Sequence, residues 1–526
     1  MLLLVLAVVT AIRIRLLDLP LERDEGEFAY AGQLIQQGLS PYQHAYNVLL
    51  KLPGTCFAYA LSMAVLGQTA MAIHTAVILV NLATACLVFV LAKPVCGSAG
   101  AVAASGTCAL LSINPLMQGF AAHATHFLTL PALAGVVLLQ TLEARTSSRR
   151  VFFAGLLLGV AVIMKQTAAT FALFAAVWIT WQEFPSAQRD LRRLATRAGA
   201  LTAGVLLPFA LLLGILALNG DFPQFWFWTI RYAHVHTSIF TLPVAVKWMF
   251  ECVGEQFLAA PSLWGVAIAG AIFLFCNQSL RRWRFFVSTF AVFSFLAVCP
   301  GWYFRGHYFL QMLPALGLLA GIAFSTASAF VSQGRLWFAV LTVTFGVLGT
   351  MNLIQWKKIY FQLTPEEASR AMYGSNPFVE AVEVGRYLQL HSADTAYIAV
   401  IGSEPQIYFY SRRRSATAYI CTYPLMEQQP FAAAMRSEMI RQIEQARPEY
   451  VVFVNVPESW VQSTSPPDMS VFEWFDRYQR DNLELVGVTE TMEDNTLRYR
   501  WFDSSASAAS LPAKYSMAIF RRRANS

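Results

Sequence analysis

Apolar stretches of nearly membrane-spanning length follow one another from the first residue to about residue 355. A helix needs roughly 20 residues to cross a hydrocarbon core of about 30 Å, and several of these stretches are shorter. The pattern predicts a polytopic α-helical membrane protein with about eleven transmembrane helices. The predicted spans are 1–17, 70–92, 99–114, 115–142, 151–165, 167–183, 198–218, 256–276, 285–300, 308–330 and 336–354.

The composition of the 526-residue chain agrees with this pattern, because hydrophobic residues make up 56% of it and charged residues only 13%. Soluble domains carry about 25% charged residues. The values exclude a simple soluble enzyme, a disordered chain and a nucleic-acid-binding tail. The net charge of +7 therefore implies no nucleic-acid partner.

Basic residues are distributed unevenly among the loops of the predicted membrane region. They concentrate near positions 145–150, 189–197 and 281–284, on one side of the predicted topology. Cytoplasmic loops carry the excess of Lys and Arg in membrane proteins. The N-terminus is therefore predicted to be cytoplasmic and the chain after residue 357 extracytoplasmic. Arg13 and Arg15, at the outer end of the first span, depart from this bias.

Residues 357–526 contain more charge, and short β-rich runs alternate there with amphipathic stretches. Such alternation is typical of an α/β domain. The chain is thus predicted to have a multi-pass membrane domain, 1–356, and an extracytoplasmic α/β domain, 357–526. Predicted strands are 395–401, 416–421, 450–456 and 483–488, and predicted helices are 377–390 and 431–446. The basic run 521–523 is interpreted as a solvated tail.

The first outer loop, 18–66, is rich in acidic residues and has the periodicity of a surface helix over 25–37. Two interpretations of Asp24 are open. As a structural residue it would cap this helix together with Glu27, in the spacing of a capping box. As a functional residue it would act as general base toward an acceptor hydroxyl, because a carboxylate at a helix terminus can be tuned by burial and by neighbouring charges.

Two cationic sites at the outer membrane boundary also have two interpretations each. Lys51, between two leucines, is either a snorkelling residue or a ligand for a phosphate at headgroup depth. Arg305 and His307 lie on an outer turn among aromatic residues. They form either an interface anchor or an anion clamp for a lipid phosphate.

Further polar residues in the apolar region are predicted to contact substrate or a neighbouring helix. His123 and His126 are three positions apart and share a helix face, but no HExxH motif or carboxylate triad accompanies them, so no metal site is predicted. Lys165 interrupts another apolar run. The loop 219–255, with several Trp and His residues, either lines a sugar pocket or forms an interfacial aromatic helix.

Three motifs together resemble those of the GT-C superfamily of polyprenyl-phosphate-dependent glycosyltransferases. The first is DEGEFAYAGQLIQQGLSPY followed by LLKLPG, the second is RGHYFLQMLPALGLLAG and the third is IGSEPQIYFYSRRRSATAYI. The pattern is most similar to glycosyltransferase family 39, which includes protein O-mannosyltransferases and aminoarabinose transferases. The resemblance implies a GT-C-like membrane fold and transfer of a hexosyl or pentosyl group, with inversion, from a polyprenyl-phosphate donor to a lipid, glycan or protein acceptor. It also implies an active site at the outer face of a bacterial inner membrane.

The resemblance assigns roles to individual positions. Asp24 matches the catalytic base, Glu25 its acidic neighbour and Lys51 the ligand of the donor phosphate. Arg305 and His307 match donor-binding positions more loosely. Possible substrate contacts are Tyr42, His123, His126 and Lys165.

One position departs from the family pattern, because His126 stands near the place where many members carry another acidic residue. No cofactor is therefore predicted, and a divalent metal is the less favoured alternative. The competing function is a lipid or polysaccharide flippase or transporter, with His74, His123, His126 and Lys165 along its path. The acidic first loop, the large outer domain and the lack of visible inverted repeats argue against it.

Overall fold

The computed structural model describes residues 1–46, 51–142, 147–183, 191–237, 241–330, 335–460, 468–491, 497–502 and 515–524. Part of the predicted basic loops, at 143–146 and 184–190, lies outside the described residues. The helices of the first 356 residues are α1 (Leu2–Arg15), α2 (Arg23–Gln36), α3 (Pro41–His44), α4 (Gly54–Leu66), α5 (Ala70–Leu111), α6 (Ala124–Gln140), α7 (Ser148–Met164), α8 (Ala169–Glu183), α9 (Leu191–Leu218), α10 (Phe222–Trp226), α11 (Ala233–Thr237), α12 (Leu242–Ala259), α13 (Pro261–Cys276), α14 (Arg284–Leu296), α15 (Leu313–Phe330) and α16 (Arg335–Gln355).

Within the described residues, three helical segments are long and apolar enough to cross a membrane: Ala70–Leu111, Leu191–Leu218 and Gly306–Ala329. The pair α12 and α13, bent by 108°, is a fourth candidate. The backbone of α5 breaks at Cys96 and Gly97, which separates the two spans that were predicted at 70–92 and 99–114. The total of about eleven spans stays a prediction.

Arg13, which departs from the charge bias of the loops, is an internal anchor of the fold. Its side chain is 4% exposed and donates hydrogen bonds to the carbonyl oxygens of Ser112 (2.7 Å) and Gly119 (2.9 Å). A buried carbonyl that loses its donor costs free energy. Arg13 therefore fixes the turn between α5 and α6, which leads into His123.

We expect Arg13→Met to destabilise the protein by about 1–3 kcal/mol for each of the two carbonyls that lose their donor. The measurement is the thermal unfolding midpoint of purified protein in detergent, followed by tryptophan fluorescence. Arg281→Met, at an exposed position, is the matched control and should leave the midpoint unchanged. Equal midpoints for the two variants would show that the Arg13 hydrogen bonds do not stabilise the fold.

Helix α2 lies between α4 and the C-terminal domain. A Cβ atom at Gly26 would lie 2.5 Å from the backbone nitrogen of Gln406, and one at Gly32 would lie 2.6 Å from the Met63 side chain. Residues 25–34 are all buried. The helix that the sequence predicted is present as α2, and the C-terminal domain packs against one of its sides. Its placement along the membrane surface stays a prediction.

A six-stranded mixed sheet forms the centre of the C-terminal domain. Its strands are β1 (Tyr397–Ile401), β2 (Arg414–Ser415), β3 (Tyr450–Val454), β4 (Leu483–Thr491), β5 (Leu497–Trp501) and β6 (Met517–Arg522), in the order β2-β1-β3-β6-β4-β5. β1 is parallel to β2 and β3, and the other neighbours are antiparallel. The helices are α17 (Pro365–Tyr373), α18 (Phe378–His391), α19 (Gln406–Ser411), α20 (Tyr423–Met426), α21 (Ala432–Ala446) and α22 (Ser470–Asn482).

Both faces of this sheet are buried along its strands β1, β3 and β6. Side chains alternate between the faces of a strand, so Ile398 joins a hydrophobic cluster that includes Phe28 of α2. Its neighbour Ala399 joins a different cluster, with Met439 of α21 and Phe475 of α22. The core of the sheet domain is therefore continuous with α2, and this packing fixes the domain over the start of that helix.

Two predictions for the C-terminal domain are wrong. The segment 416–421 forms no strand, and β2 ends before it at Ser415. Its polar groups bond to α21 instead, since the Gln442 amide oxygen accepts hydrogen bonds from the Thr417 hydroxyl (2.7 Å) and the Ala418 amide (3.0 Å). The basic run at 521–523 is not a solvated tail. Arg521 and Arg522 belong to β6, which lies between β3 and β4, and Arg521 donates to Glu484 at 2.6 Å.

Candidate active site

Asp24 lies in the first turn of α2 but does not cap this helix. Glu22 is the N-cap residue, since its side chain accepts a hydrogen bond from the Glu25 amide (2.9 Å) and the Glu25 side chain accepts from the Glu22 amide (3.1 Å). The predicted capping box of Asp24 and Glu27 is therefore wrong, because the box begins two residues earlier. The Asp24 carboxylate is left to interact with groups outside its own helix.

Asp24 forms an ion pair with Lys51. The Lys51 Nζ lies 3.0 Å from Asp24 Oδ1 and 3.5 Å from Glu27 Oε2. It also lies 4.6 Å from the centre of the Phe28 ring. The side chains of Asp24 and Lys51 are 22% and 24% exposed, so both remain accessible to a ligand.

The electrostatic environment keeps this pair charged. Burial would raise the pKa of Asp24, but the charges of Lys51, His123 and Arg305 outweigh it and hold that pKa well below its usual range. Burial would lower the pKa of Lys51, but Asp24 and Glu27 outweigh it, so this pKa is raised. Asp24 is consequently an ionised but weak base while Lys51 is beside it.

The pair opens into a cavity of about 510 Å³, a size typical of ligand pockets. Helix α2, the breaks before α6 and α8, the segment 229–236, the turn before α15 and the C-terminal domain all contribute to its wall. The charged, histidine and tyrosine residues of the wall are Glu22, Arg23, Asp24, Glu27, Lys51, His123, Lys165, Tyr232, His234, His236, Tyr303, Arg305, His307, Tyr308, Tyr423 and Glu427.

Two further cations that were singled out in the sequence line this cavity. Lys165 lies in the break after α7, and its amine is 3.8 Å from the centre of the Tyr308 ring. The Arg305 guanidinium lies 5.5 Å from the centre of the Tyr303 ring. Three cations from distant parts of the chain thus surround one cavity that also holds a carboxylate, which is an arrangement suited to an anionic ligand.

His123 and His307 form a stacked pair beside Asp24. Their rings are 3.8 Å apart and inclined by 13°, and His307 Nδ1 lies 2.8 Å from the Gln118 side-chain oxygen. One ligand atom from each of Asp24, His123 and His307 lies within 4.8 Å of the others. Two imidazoles and a carboxylate are a donor set that suits zinc and related divalent ions, although Lys51 competes for the same carboxylate.

Three residues predicted for the site lie outside the cavity wall. Glu25 accepts hydrogen bonds from the Ala122 amide (2.6 Å) and contacts His74 Nε2 (3.0 Å), so it holds the segment before His123. Tyr42 packs edge-on against Phe225. His126 Nδ1 accepts from the Asn81 side chain of α5 (3.1 Å), whereas His123 stacks on His307.

The cavity also includes residues to which the sequence pointed weakly or not at all. From the loop 219–255, for which two interpretations were open, His236 lines the cavity and Trp226 is 53% exposed. Tyr423 and Glu427 come from the C-terminal domain. No local motif marks them, because only the tertiary fold places them at this cavity.

No protein-family model matches the sequence, and no curated protein matches it significantly. Solved structures, in contrast, match it along almost its whole length. ArnT from Cupriavidus metallidurans bound to undecaprenyl phosphate has a TM-score of 0.62 at 13% identity, with 98% of this chain and 97% of that chain covered. The apo state of the same protein has a TM-score of 0.60 at 15% identity over the same shares of both chains.

The oligosaccharyltransferase of Archaeoglobus fulgidus, tethered with an acceptor peptide, has a TM-score of 0.51 at 12% identity, covering 96% of this chain and 74% of that chain. The same protein has also been solved in complex with Zn and sulfate. Both similar proteins are GT-C glycosyltransferases and integral membrane proteins. The chain therefore has a GT-C-like fold, as its resemblance to that superfamily predicted.

Proposed function

We propose that this protein is an integral membrane glycosyltransferase that moves a hexosyl or pentosyl group from a polyprenyl-phosphate donor to the hydroxyl of a lipid, glycan or protein acceptor. The observation that carries the proposal is the meeting of Asp24 with Lys51, Lys165 and Arg305 around one cavity. The GT-C-like fold supports it, since the similar ArnT was solved with undecaprenyl phosphate. The proposed location is the outer face of a bacterial inner membrane.

In the proposed mechanism, Asp24 accepts the proton of the acceptor hydroxyl. The hydroxyl oxygen attacks the anomeric carbon from the side opposite the phosphate, and the bond between that carbon and the phosphate oxygen breaks with inversion. The electron pair of this bond remains on the departing polyprenyl phosphate. Lys51 and Arg305 stabilise the charge that accumulates there, with Lys165 and His307 beside them.

Donor binding also changes the basicity of Asp24. In the free protein the adjacent ammonium group of Lys51 weakens the base. A donor phosphate would attract Lys51 away from Asp24, and loss of that neighbouring charge raises the pKa of a carboxylate. The base is therefore strengthened when the donor is in place, which limits unproductive chemistry in its absence.

A divalent cation is compatible with the site but is not required by this mechanism. Asp24, His123 and His307 would hold it, and it would add positive charge close to the departing phosphate. Glu25 is proposed as a positioning residue, because it holds the segment that carries His123 without reaching the cavity.

The proposal is tested by incubating the purified protein with a panel of undecaprenyl-phosphate sugars and a labelled lipid extract as acceptor. Release of free undecaprenyl phosphate together with a new glycosidic product is the expected result. Reconstituted vesicles provide the second arm of the test. Movement of labelled donor across the bilayer without any release of undecaprenyl phosphate would reject the transferase and favour the transporter.

The Lys165 amine should make donor binding depend on pH near neutrality. Burial, and then the charge of Lys51, lower the pKa of Lys165 to about 7, with Arg305 adding to the effect and Asp24 opposing it. Below that pH the protonated amine attracts the donor phosphate, and above it the attraction is lost. The KM for the donor should therefore rise as the pH increases through about 7.

Two variants separate Lys165 from other titrating groups. Lys165→Arg keeps the charge at every pH in this range, so the rise in KM should disappear between pH 6 and 8.5. Lys165→Met should raise the KM at pH 6 and make it independent of pH. The donor is a phosphodiester without an ionisation near pH 7, and a wild-type slope in Lys165→Met would assign the dependence to another group.

A further inference from the structure

A second polar cluster lines the same cavity but has different partners from those of Asp24. Its centre is Glu427, which follows α20 in the C-terminal domain and has a side chain that is 12% exposed. The Tyr232 hydroxyl donates to Glu427 Oε2 at 2.5 Å, and His236 Nδ1 lies 3.1 Å from Oε1. The cluster therefore joins the C-terminal domain to the segment 229–236 of the membrane domain.

The Glu427 carboxylate retains capacity to accept further hydrogen bonds. A carboxylate offers about four lone-pair sites, whereas Tyr232 and His236 supply its hydrogen-bond partners among the described residues. These two contacts fix the orientation of the group. Because Glu427 lines the cavity, its free lone pairs are available to hydroxyl donors of a ligand there.

A turn with unusual backbone angles holds the Tyr303 side chain between this cluster and the guanidinium of Arg305. Trp302 and Phe304, on either side of Tyr303, have φ angles of 61° and 44°, and bulky residues adopt positive φ only when the surrounding structure enforces it. The Tyr303 ring lies 5.3 Å from the His236 ring and 5.5 Å from the Arg305 guanidinium. The Tyr303 ring therefore lies between Arg305, the proposed phosphate ligand, and the cluster around Glu427.

We infer that Glu427, His236, Tyr232 and Tyr303 form a subsite for a carbohydrate ring. Such a ring has hydroxyls that a fixed carboxylate binds and C–H faces that pack on aromatic rings. The inference rests on the proposed function, because Arg305 as a phosphate ligand places the subsite within reach of a sugar joined to that phosphate. Two sugars carry this chemistry, the one on the donor and one on a glycan acceptor.

A subsite of this kind determines specificity. A site that binds a hydroxyl discriminates strongly against analogues without it, since its buried polar groups are then left unpaired. The carboxylate comes from the C-terminal domain, whereas the base and the phosphate ligands come from the membrane domain. The C-terminal domain is thereby assigned a part in sugar selection.

The test compares undecaprenyl phosphate with the undecaprenyl-phosphate sugar that the wild-type protein binds most tightly. Glu427→Gln keeps the shape but loses the charge. Binding of the sugar-bearing lipid should weaken at least about tenfold, while binding of undecaprenyl phosphate stays the same. His236→Gln, a second variant of the cluster, should act in the same direction. Thermal midpoints of both variants show whether they are folded.

Glu438→Gln is the matched control, because Glu438 accepts a hydrogen bond from Tyr419 (2.9 Å) in the same domain but lies outside the cavity. This control should leave the binding of both lipids unchanged.

If Glu427→Gln changes the binding of neither lipid but raises the KM for a glycan acceptor tenfold, the subsite binds the acceptor sugar. Equally weakened binding of both lipids, or unchanged lipid binding together with an unchanged acceptor KM, would overturn the inference. Binding is measured without turnover, so failure of the proposed transferase reaction would be recognised separately.

Discussion

Asp24→Asn should reduce sugar transfer by about 10²–10⁴-fold, the contribution typical of a general base. The substitution keeps the size of the side chain and removes only its charge and basicity. Lys51 would then lose its closest carboxylate, at 3.0 Å, and retain Glu27 at 3.5 Å. We therefore expect undecaprenyl phosphate to bind the variant at least as tightly as the wild type, because less of the lysine charge is neutralised.

The combination of lost transfer and preserved lipid binding distinguishes a base from a residue that only supports the fold. The measurements are the initial rate of undecaprenyl phosphate release and the equilibrium binding of that lipid. Asp18→Asn is the matched control, because Asp18 lies in the same loop and is exposed, and it should behave as wild type. Transfer at the wild-type rate in Asp24→Asn would reject the assignment of the base.

Those parts of the site that lie within short motifs could be predicted from the sequence. Asp24, Lys51, Arg305 and His307 were each singled out by a local pattern, and all four line the cavity. The sequence could not show that Asp24 lines the cavity whereas Glu25 lies outside it. This difference depends on which acidic residue caps α2, and the observed N-cap, Glu22, is a glutamate, which is not among the preferred N-cap residues.

The sugar-binding cluster was beyond prediction for a different reason. Tyr232 and Glu427 are 195 residues apart and belong to different domains, so their contact depends on how those domains pack. Only the loop containing His236 carried a signal, through its concentration of histidine and tryptophan. Tertiary placement, and not local pattern, decides which of such residues face a cavity.

The fold shows the same division between local and tertiary information. β1, β3 and β4, which have continuous β-rich runs, were predicted close to their observed positions. The run at Arg521 was assigned to a tail because its charge resembles that of a solvated segment. In the structure, β6 is a central strand, and Glu484 of β4 compensates one of its arginines at 2.6 Å. Pairing between strands distant in sequence therefore overrode composition.

The position of Asp24 depends on its neighbour Arg23, which fixes the start of α2 to the C-terminal domain. Arg23 forms a salt bridge with Glu404 at 2.6 Å, and the side chains are 13% and 0% exposed. Arg23 also donates to the Ser403 carbonyl oxygen at 2.5 Å. Its guanidinium lies 5.2 Å from the centre of the Tyr423 ring. The C-terminal domain thus holds the residue that precedes the proposed base.

We expect Glu404→Ala to lower the free energy of unfolding by about 3–5 kcal/mol, because removal of one partner leaves the other charge buried without compensation. The thermal midpoint of the purified protein should fall accordingly, and transfer should decrease because the start of α2 loses its attachment. Glu383→Ala is the control, since Glu383 pairs with Arg386 at 3.8 Å on the surface, where ion pairs contribute at most about 1 kcal/mol. Glu404→Gln retains hydrogen-bonding atoms and should be intermediate. If Glu404→Ala matched Glu383→Ala in midpoint and in transfer rate, the two domains would not be coupled through Arg23.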